Sequence, residues 1–314
     1  MPLISLPREL LLHISEHLYS KKDINAFVRT NRFLYLLLNK RLYRFDVEHC
    51  KSSALFWAAA HRRPDTARKA LEVKANVNAE GEYFGNALEA ASWTGNQEVV
   101  RLLLENGVDV DAQDGHYGNA LQAASWTGNI HVVGLLLDNG ANINAREGYY
   151  GNALQAASWT GNIEMVKLLL SKGADVNASG GHYGNALQAA SWENRRHLVE
   201  ELLNARANVN ASGGYYGSAL QAASWGGDQH IVELLLSKGA DVNVQGGYFG
   251  SALQAASWRG HEGIVQLLLR NGADVDAPGR HYSNAVRAAL AGGHNKVVMV
   301  LSYWRLRQYF AYIS

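Results

Sequence analysis

The chain has 314 residues, 47% of them apolar, and its 29 basic and 28 acidic side chains leave a formal net charge of +1. Charged residues make up 18%, against the ~25% usual in soluble proteins, which excludes a charge-rich disordered chain and a binder that works by neutralising phosphates. The single cysteine, Cys50, excludes an internal disulfide and a multi-cysteine metal site.

The predicted elements begin with three short helices in the first 48 residues. Pro7 suits a first helical turn, and Leu10, Leu11, Ile14 and Leu18 then share one helical face. Asp23 is placed to cap a second helix carrying Ile24, Phe27 and Val28, and Phe33, Leu36 and Leu37 begin a third. So short a segment needs a partner or a neighbouring domain to bury these side chains. Leu6-Pro7-Arg8-Glu9-Leu10, followed by Ile14, Leu18, Asp23-Ile24 and Arg29-Thr30-Asn31-Arg32, resembles an F-box. That resemblance implies that Leu6, Pro7, Leu10, Ile14, Leu18, Ile24 and Val28 dock on the small adaptor subunit of a cullin-based ubiquitin ligase. The alternative is a helical cap on the array that follows. His13-Ile14-Ser15-Glu16-His17 also forms an H-x-x-E-H string, in which two histidines one turn apart could hold zinc. A third ligand is lacking, and the same residues fit the F-box register, so neither an enzyme nor a cofactor is expected.

From residue 49 a repeat takes over. Tryptophans stand at 93, 126, 159, 192, 225 and 258, each 33 residues after the last, and an Ala-Leu pair recurs at 54, 87, 120, 153, 186, 219 and 252, then as Ala-Val at 285. Eight such units account for most of the chain, so the repeat predicts a solenoid. Within one unit, Asn152 reads as the N-cap of a short helix over Ala153 to Trp159, which Gly161 stops. A second helix follows over Ile163 to Ser171, with Gly173 where a left-handed backbone is wanted. A Gly- and Asn-rich loop leads to the next unit, and the alanines of the first helix permit close stacking. Glu164-Met165-Val166-Lys167-Leu168-Leu169-Leu170-Ser171-Lys172-Gly173-Ala174-Asp175-Val176-Asn177-Ala178 resembles the second half of an ankyrin repeat. The family's Thr-Pro-Leu-His start is replaced by Asn-Ala-Leu-Gln (Asn152 to Gln155) or Ser-Ala-Leu-Gln (Ser218 to Gln221), a form similar to that of fungal ankyrin proteins. The fifth unit departs furthest, with Asn194 at the helix stop and Arg206 where other units carry glycine.

Aromatic residues are the candidate binding surface. Each loop carries two adjacent rings, and the first of the pair alternates between His and Tyr at His116, Tyr149, His182, Tyr215 and Tyr248, with His281 continuing the series. Trp93, Trp126, Trp159, Trp192, Trp225 and Trp258 occupy the place that in ankyrin proteins usually varies and faces the groove. They are expected in a row at the ~10 Å step of stacked units, as a recognition groove for an extended protein client; the alternative is that the rings pack on one another for stability and the ladder is core. The loop histidines, about 20 Å apart at that step, could not share a metal.

Charge is uneven along the chain, with net +3 over residues 1–50, minus 7 over 51–276, and +5 over 277–314, where no acidic residue occurs. The acidic middle favours a neutral or basic client and disfavours nucleic acid. After Leu301, Tyr303, Trp304, Leu306, Tyr309, Phe310, Tyr312 and Ile313 are expected to form a helical extension folded over the last unit. The reading is an all-α chain: a three-helix F-box-like segment (1–48), ankyrin repeats (49–301) and a helical extension or cap (302–314). No segment approaches the ~20 apolar residues of a membrane span, so an intracellular protein of the cytoplasm or nucleus is expected. Functionally it is a non-catalytic adaptor of a ubiquitin ligase with a protein client in the ankyrin groove; the alternative is a scaffold without a ligase connection.

Overall fold

The computed structural model describes residues 11, 40, 42–48, 50–81, 84–113, 115–146 and 148–313, with side-chain burial as far as Tyr309. All seven residues assigned to adaptor docking, and the His13 to His17 string, lie outside them. Sixteen helices, two to each repeat, follow one another in chain order among the described residues. These are α1 (Ser53–Ala60) with α2 (Pro64–Glu72), α3 (Ala87–Thr94) with α4 (Gln97–Glu105), α5 (Ala120–Thr127) with α6 (Ile130–Asp138), and α7 (Ala153–Thr160) with α8 (Ile163–Ser171). They continue as α9 (Ala186–Trp192) with α10 (Arg196–Asn204), α11 (Ala219–Gly226) with α12 (Gln229–Ser237), α13 (Ala252–Arg259) with α14 (Glu262–Arg270), and α15 (Ala285–Ala291) with α16 (Asn295–Ile313). Outside the helices the described residues make isolated β-bridges and no strand.

The chain divides into two compact units, one of residues 1–120 with 131–141, the other of residues 121–130 with 142–314. In the first, α1 packs on α3 and α2 on α4. In the second, α7, α9, α11, α13 and α15 pack in succession, and α10, α12, α14 and α16 do the same one layer out. Each unit is therefore all-α and built like a solenoid, from helix pairs that bury one face on the next. The inner layer is alanine at its tightest contacts: Ala156, Ala157, Ala189, Ala190, Ala222 and Ala223 are fully buried.

Local chemistry starts and stops each helix as the sequence implies. The Asn152 side chain accepts the Gln155 N–H at 2.8 Å, Asn185 does so for Gln188, and Ser218 for Gln221. Gly161 (φ 79°) ends α7 in the left-handed region. In the fifth pair, Asn194 (φ 57°) and Arg206 (φ 68°) adopt that conformation too. For asparagine this is tolerable; for arginine the Cβ meets its own carbonyl, so Arg206 is strained.

The glutamine of each Asn-Ala-Leu-Gln start has a role that capping alone did not suggest. Gln188 is fully buried, and its Nε2 donates to the carbonyls of Ala211 (3.2 Å) and Gly217 (2.9 Å) in the following loop. Gln155 reaches Ala178 and Gly184 in the same way, and Gln221 reaches Val244 and Gly250. Each such amide N–H finds its acceptors in the following loop and locks that loop to the helix, while the buried Oε1 of Gln155, Gln188 and Gln221 has no hydrogen-bond partner among the described residues. In the first unit Glu89 holds the equivalent place. A carboxylate has no N–H to give, and it accepts the Tyr117 N–H instead, at 3.2 Å.

The last helix corrects one expectation. Residues 302–313 are helical, but they prolong α16 along its own axis and do not fold back, leaving Tyr303, Leu306 and Tyr309 about 60% exposed (64%, 58% and 63%). Arg305, paired with Asp276 at 3.1 Å, ties one side of the extension to the loop before α15.

Two stability measurements test this account. Gln188→Ala should remove the amide donor from the Ala211 and Gly213 carbonyls and leave Gly217 only the Gly213 N–H, lowering unfolding free energy by about 2 kcal/mol in denaturant melts. Arg206→Gly should raise it by ~1 kcal/mol, since glycine takes the left-handed backbone without strain.

Candidate protein-binding face

The loops bring the candidate rings together. In the second unit three loops are minimal hairpins closed by a glycine pair, Gly180 with Gly184, Gly213 with Gly217, and Gly246 with Gly250. Successive loops are joined by one backbone rung per repeat: His182 N–H to Tyr149 O (2.9 Å), Tyr215 N–H to His182 O (2.8 Å), and Tyr248 N–H to Tyr215 O (2.8 Å). A side chain at Gly214 (φ 64°) would run into the backbone of Tyr183 and Gly184, so glycine is required for this approach. The rungs set the spacing of neighbouring β-strands, ~4.8 Å, rather than the 8–10 Å of packed helices.

That spacing corrects the ~10 Å ring step expected from the repeat. The first loop rings form one stack, Tyr149 on His182 (5.0 Å between centroids), His182 on Tyr215 (5.0 Å), Tyr215 on Tyr248 (4.9 Å) and Tyr248 on His281 (4.5 Å, tilted). Tyr248 Oη and His281 Nε2 also lie 3.1 Å apart in a hydrogen bond. His281 thus continues the row, as its place in the series implies. Two tyrosines, Tyr215 and Tyr248, stand between His182 and His281 in the row. Among the described residues no three His, Cys, Asp or Glu side chains gather as a metal site requires.

Beneath this row lies a buried one. Tyr150, Tyr183, Tyr216 and Phe249 are 4–7% exposed, and each meets its outer neighbour nearly edge-on where both are described in a pair, as for Tyr149 with Tyr150 at 85°. The tryptophans close the sandwich and are half-buried. Trp126 stacks on Trp159 at 4.4 Å and on Tyr150 at 4.3 Å; Trp225 lies 5.5 Å from Trp192, 4.8 Å from Trp258 and 4.2 Å from Phe249. Their faces are spent on one another and on the buried row, and the Trp159 indole N–H is itself buried. In the first unit Phe84, Trp93 and Tyr117 make the same cluster, Trp93 lying 4.4 Å from Tyr117, with exposed His116 edge-on to Tyr117. The outer row of the second unit stays accessible, with Tyr149, Tyr215 and Tyr248 exposed at 43%, 38% and 37%. Because those rings also stack face to face, they present edges: phenol hydroxyls and imidazole nitrogens at ~5 Å intervals. The face is a hydrogen-bonding strip, without the open ring faces on which bases or sugars stack.

The electrostatics follow from burial. The Tyr183 and Tyr216 phenols are pushed well above the usual range by desolvation and then by neighbouring phenols. Burial likewise raises Tyr215 and lowers His182; His261, packed against Trp225 with Nε2 3.1 Å from the Trp225 carbonyl, is lowered by burial as well.

Stacked helices and short ring-bearing loops define a repeat protein. The model of the ankyrin-repeat family (Ankyrin repeats, 3 copies) matches residues 26–114, 115–180 and 186–279, and the chain belongs to that family. Ankyrin-repeat proteins are generally non-catalytic interaction modules, which supports a protein–protein interaction role. No curated protein matches the chain. Among the described residues no helix is long and apolar enough to cross a membrane.

The pH dependence of folding reads out the ring stack. A histidine whose folded pKa is depressed takes up its proton more readily when unfolded, so stability is intact above about pH 6.5 and falls as pH drops below it. His182→Tyr, which installs the residue of the neighbouring repeats, should reduce the fall in melting temperature between pH 7.5 and 5.5.

Proposed function

We propose that the chain is a non-catalytic adaptor whose ring-edged ankyrin face holds a protein client while residues 1–48 recruit the adaptor subunit of a cullin-based ubiquitin ligase. The observation that carries the client half is the exposed row Tyr149, His182, Tyr215, Tyr248, built on a buried ring layer that fixes it in place. Tyr, Ser, Gly and His dominate the loops around it, as in Ser179-Gly180-Gly181-His182 and Ser212-Gly213-Gly214-Tyr215, a composition suited to polar contact with peptide surfaces at low entropic cost. Half-buried Trp126, Trp159, Trp192, Trp225 and Trp258 border the row and supply apolar edges. His116 and Trp93 offer the same chemistry in the first unit. The ligase half rests on the F-box-like pattern of Leu6, Pro7, Leu10, Ile14, Leu18, Ile24 and Val28.

A second reading, an ankyrin scaffold with no ligase connection, is favoured by one observation. The first family match begins at residue 26, inside the F-box-like segment, so part of that segment also fits the start of a repeat array.

Affinity purification with mass spectrometry separates the two halves. Leu6→Ala with Pro7→Ala should lose the adaptor and keep the client and the repeat melting transition. Tyr149→Phe with Tyr215→Phe, which keeps the stack but removes two hydroxyls, should keep the adaptor and weaken the client by about 1 kcal/mol per lost hydrogen bond. Absence of any ligase adaptor from the wild-type preparation would leave only the scaffold reading.

A further inference from the structure

The pair α15–α16 departs from its siblings in a consistent direction. At the place of Leu290, the six preceding units carry Ser92, Ser125, Ser158, Ser191, Ser224 and Ser257, each fully buried. Leu290 is 49% exposed on the same register position, which in the other pairs is covered by the following pair. Met299, 73% exposed, stands where Lys167, Glu200, Glu233 and Gln266 stand. Tyr303 stands where Ser171, Asn204, Ser237 and Arg270 stand. Relative to its siblings this pair exchanges polar residues for apolar ones. Met299, Tyr303 and Leu306 are spaced four and three residues apart, one stripe along α16.

Furrows flank that stripe. One, of about 350 Å³, runs between α14 and α16 and is lined by Gln266, Arg270, Met299, Val300, Tyr303 and Trp304. Another, of about 530 Å³, lies between α15 and α16 beside Val286, Arg305, Leu306 and Tyr309. Residues 277–314 hold five basic side chains and no acidic one. Arg307 sits over the Trp304 ring, 5.5 Å from its centroid, and extends the positive rim.

We propose that the exposed side of α15 and α16 docks an acidic amphipathic helix of a partner protein. Leu290 holds the register on which this fold stacks further helices, Met299 and Tyr303 put apolar surface where the other pairs expose polar side chains, and ridges of a helix fit furrows between helices. Charge selects the occupant. A second copy presenting the same end would set +5 against +5, and residues 1–50 carry net +3, so both are repelled where an acidic helix is attracted. A bilayer would engage the convex stripe and leave the two furrows unfilled.

The test uses the full chain and a synthetic helical peptide with leucine at i, i+3, i+4 and i+7 and glutamate elsewhere, read by fluorescence anisotropy. A counterpart with lysine in place of glutamate is the control. The glutamate peptide should bind about tenfold or more tightly than the lysine one, and should weaken severalfold between about 0.05 M and 0.5 M salt. Tyr303→Ser with Leu306→Glu should cost about tenfold in glutamate-peptide affinity. Arg307→Glu, at an exposed position, should shift preference toward the lysine peptide with an unchanged melting curve, which keeps the test decisive if the double variant misfolds. Equal binding of the two peptides overturns the proposal. So does binding confined to phosphatidylserine vesicles, or a dimer in sedimentation that disappears in Leu306→Glu.

Discussion

The interaction on which the second unit depends is the buried amide that each inner helix gives to the loop after it. A glutamine without exposure to water must find its acceptors inside the protein, and the only carbonyls in reach of Gln155, Gln188 and Gln221 belong to the following repeat. The helix therefore cannot be satisfied until its neighbour has formed. This is how a periodic sequence becomes a cooperative stack, each unit supplying the neighbour's missing partner.

From that clamp the ring face follows. Loops pinned by glutamine and joined by single backbone rungs approach to β-strand distance, closer than their helices can. Aromatic side chains carried at that spacing have no alternative to stacking, and three layers result: exposed His/Tyr edges, buried Tyr or Phe, and half-buried Trp. Burial of the middle layer makes the outer one rigid, and rigidity lowers the entropic cost of binding. The energy that holds the fold and the geometry that offers a surface are here the same ring contacts.

Irregularities are confined to particular units. Arg195 stands where Asn96 and Asn162 cap their helices and, like His261 in the seventh pair, makes no side-chain cap, while Arg206 replaces a glycine and takes its backbone strain. Arg196 bonds Asp228, the cap of the following second helix, so the fifth pair gains an ionic contact to the sixth beside those losses. Outside that pair, Asn144, Asn177, Asn210 and Asn243 each accept the N–H of the next repeat's Asp or Asn at 2.7–2.9 Å, a second tie on the opposite end of the loops from the rings.

The sequence by itself determined the all-α repeat, the helix bounds and the caps, because N-cap, left-handed stop and apolar period are properties of a few adjacent residues. Asn152, Gly161 and Gly173 act as their local chemistry requires. It also identified which rings share a position, since a 33-residue period suffices for that. Tertiary structure alone decided how far apart those rings stand and which way they face: the ~5 Å step comes from backbone rungs between residues 33 apart, and no local pattern encodes it. The glutamine clamp was hidden for the same reason, its partners lying 23 and 29 residues downstream. The direction of the last helix was likewise a tertiary matter. An apolar tail predicts burial, but whether α16 bends back or runs straight depends on a turn signal, and from Asn295 to Ile313 the chain has neither glycine nor proline to break it.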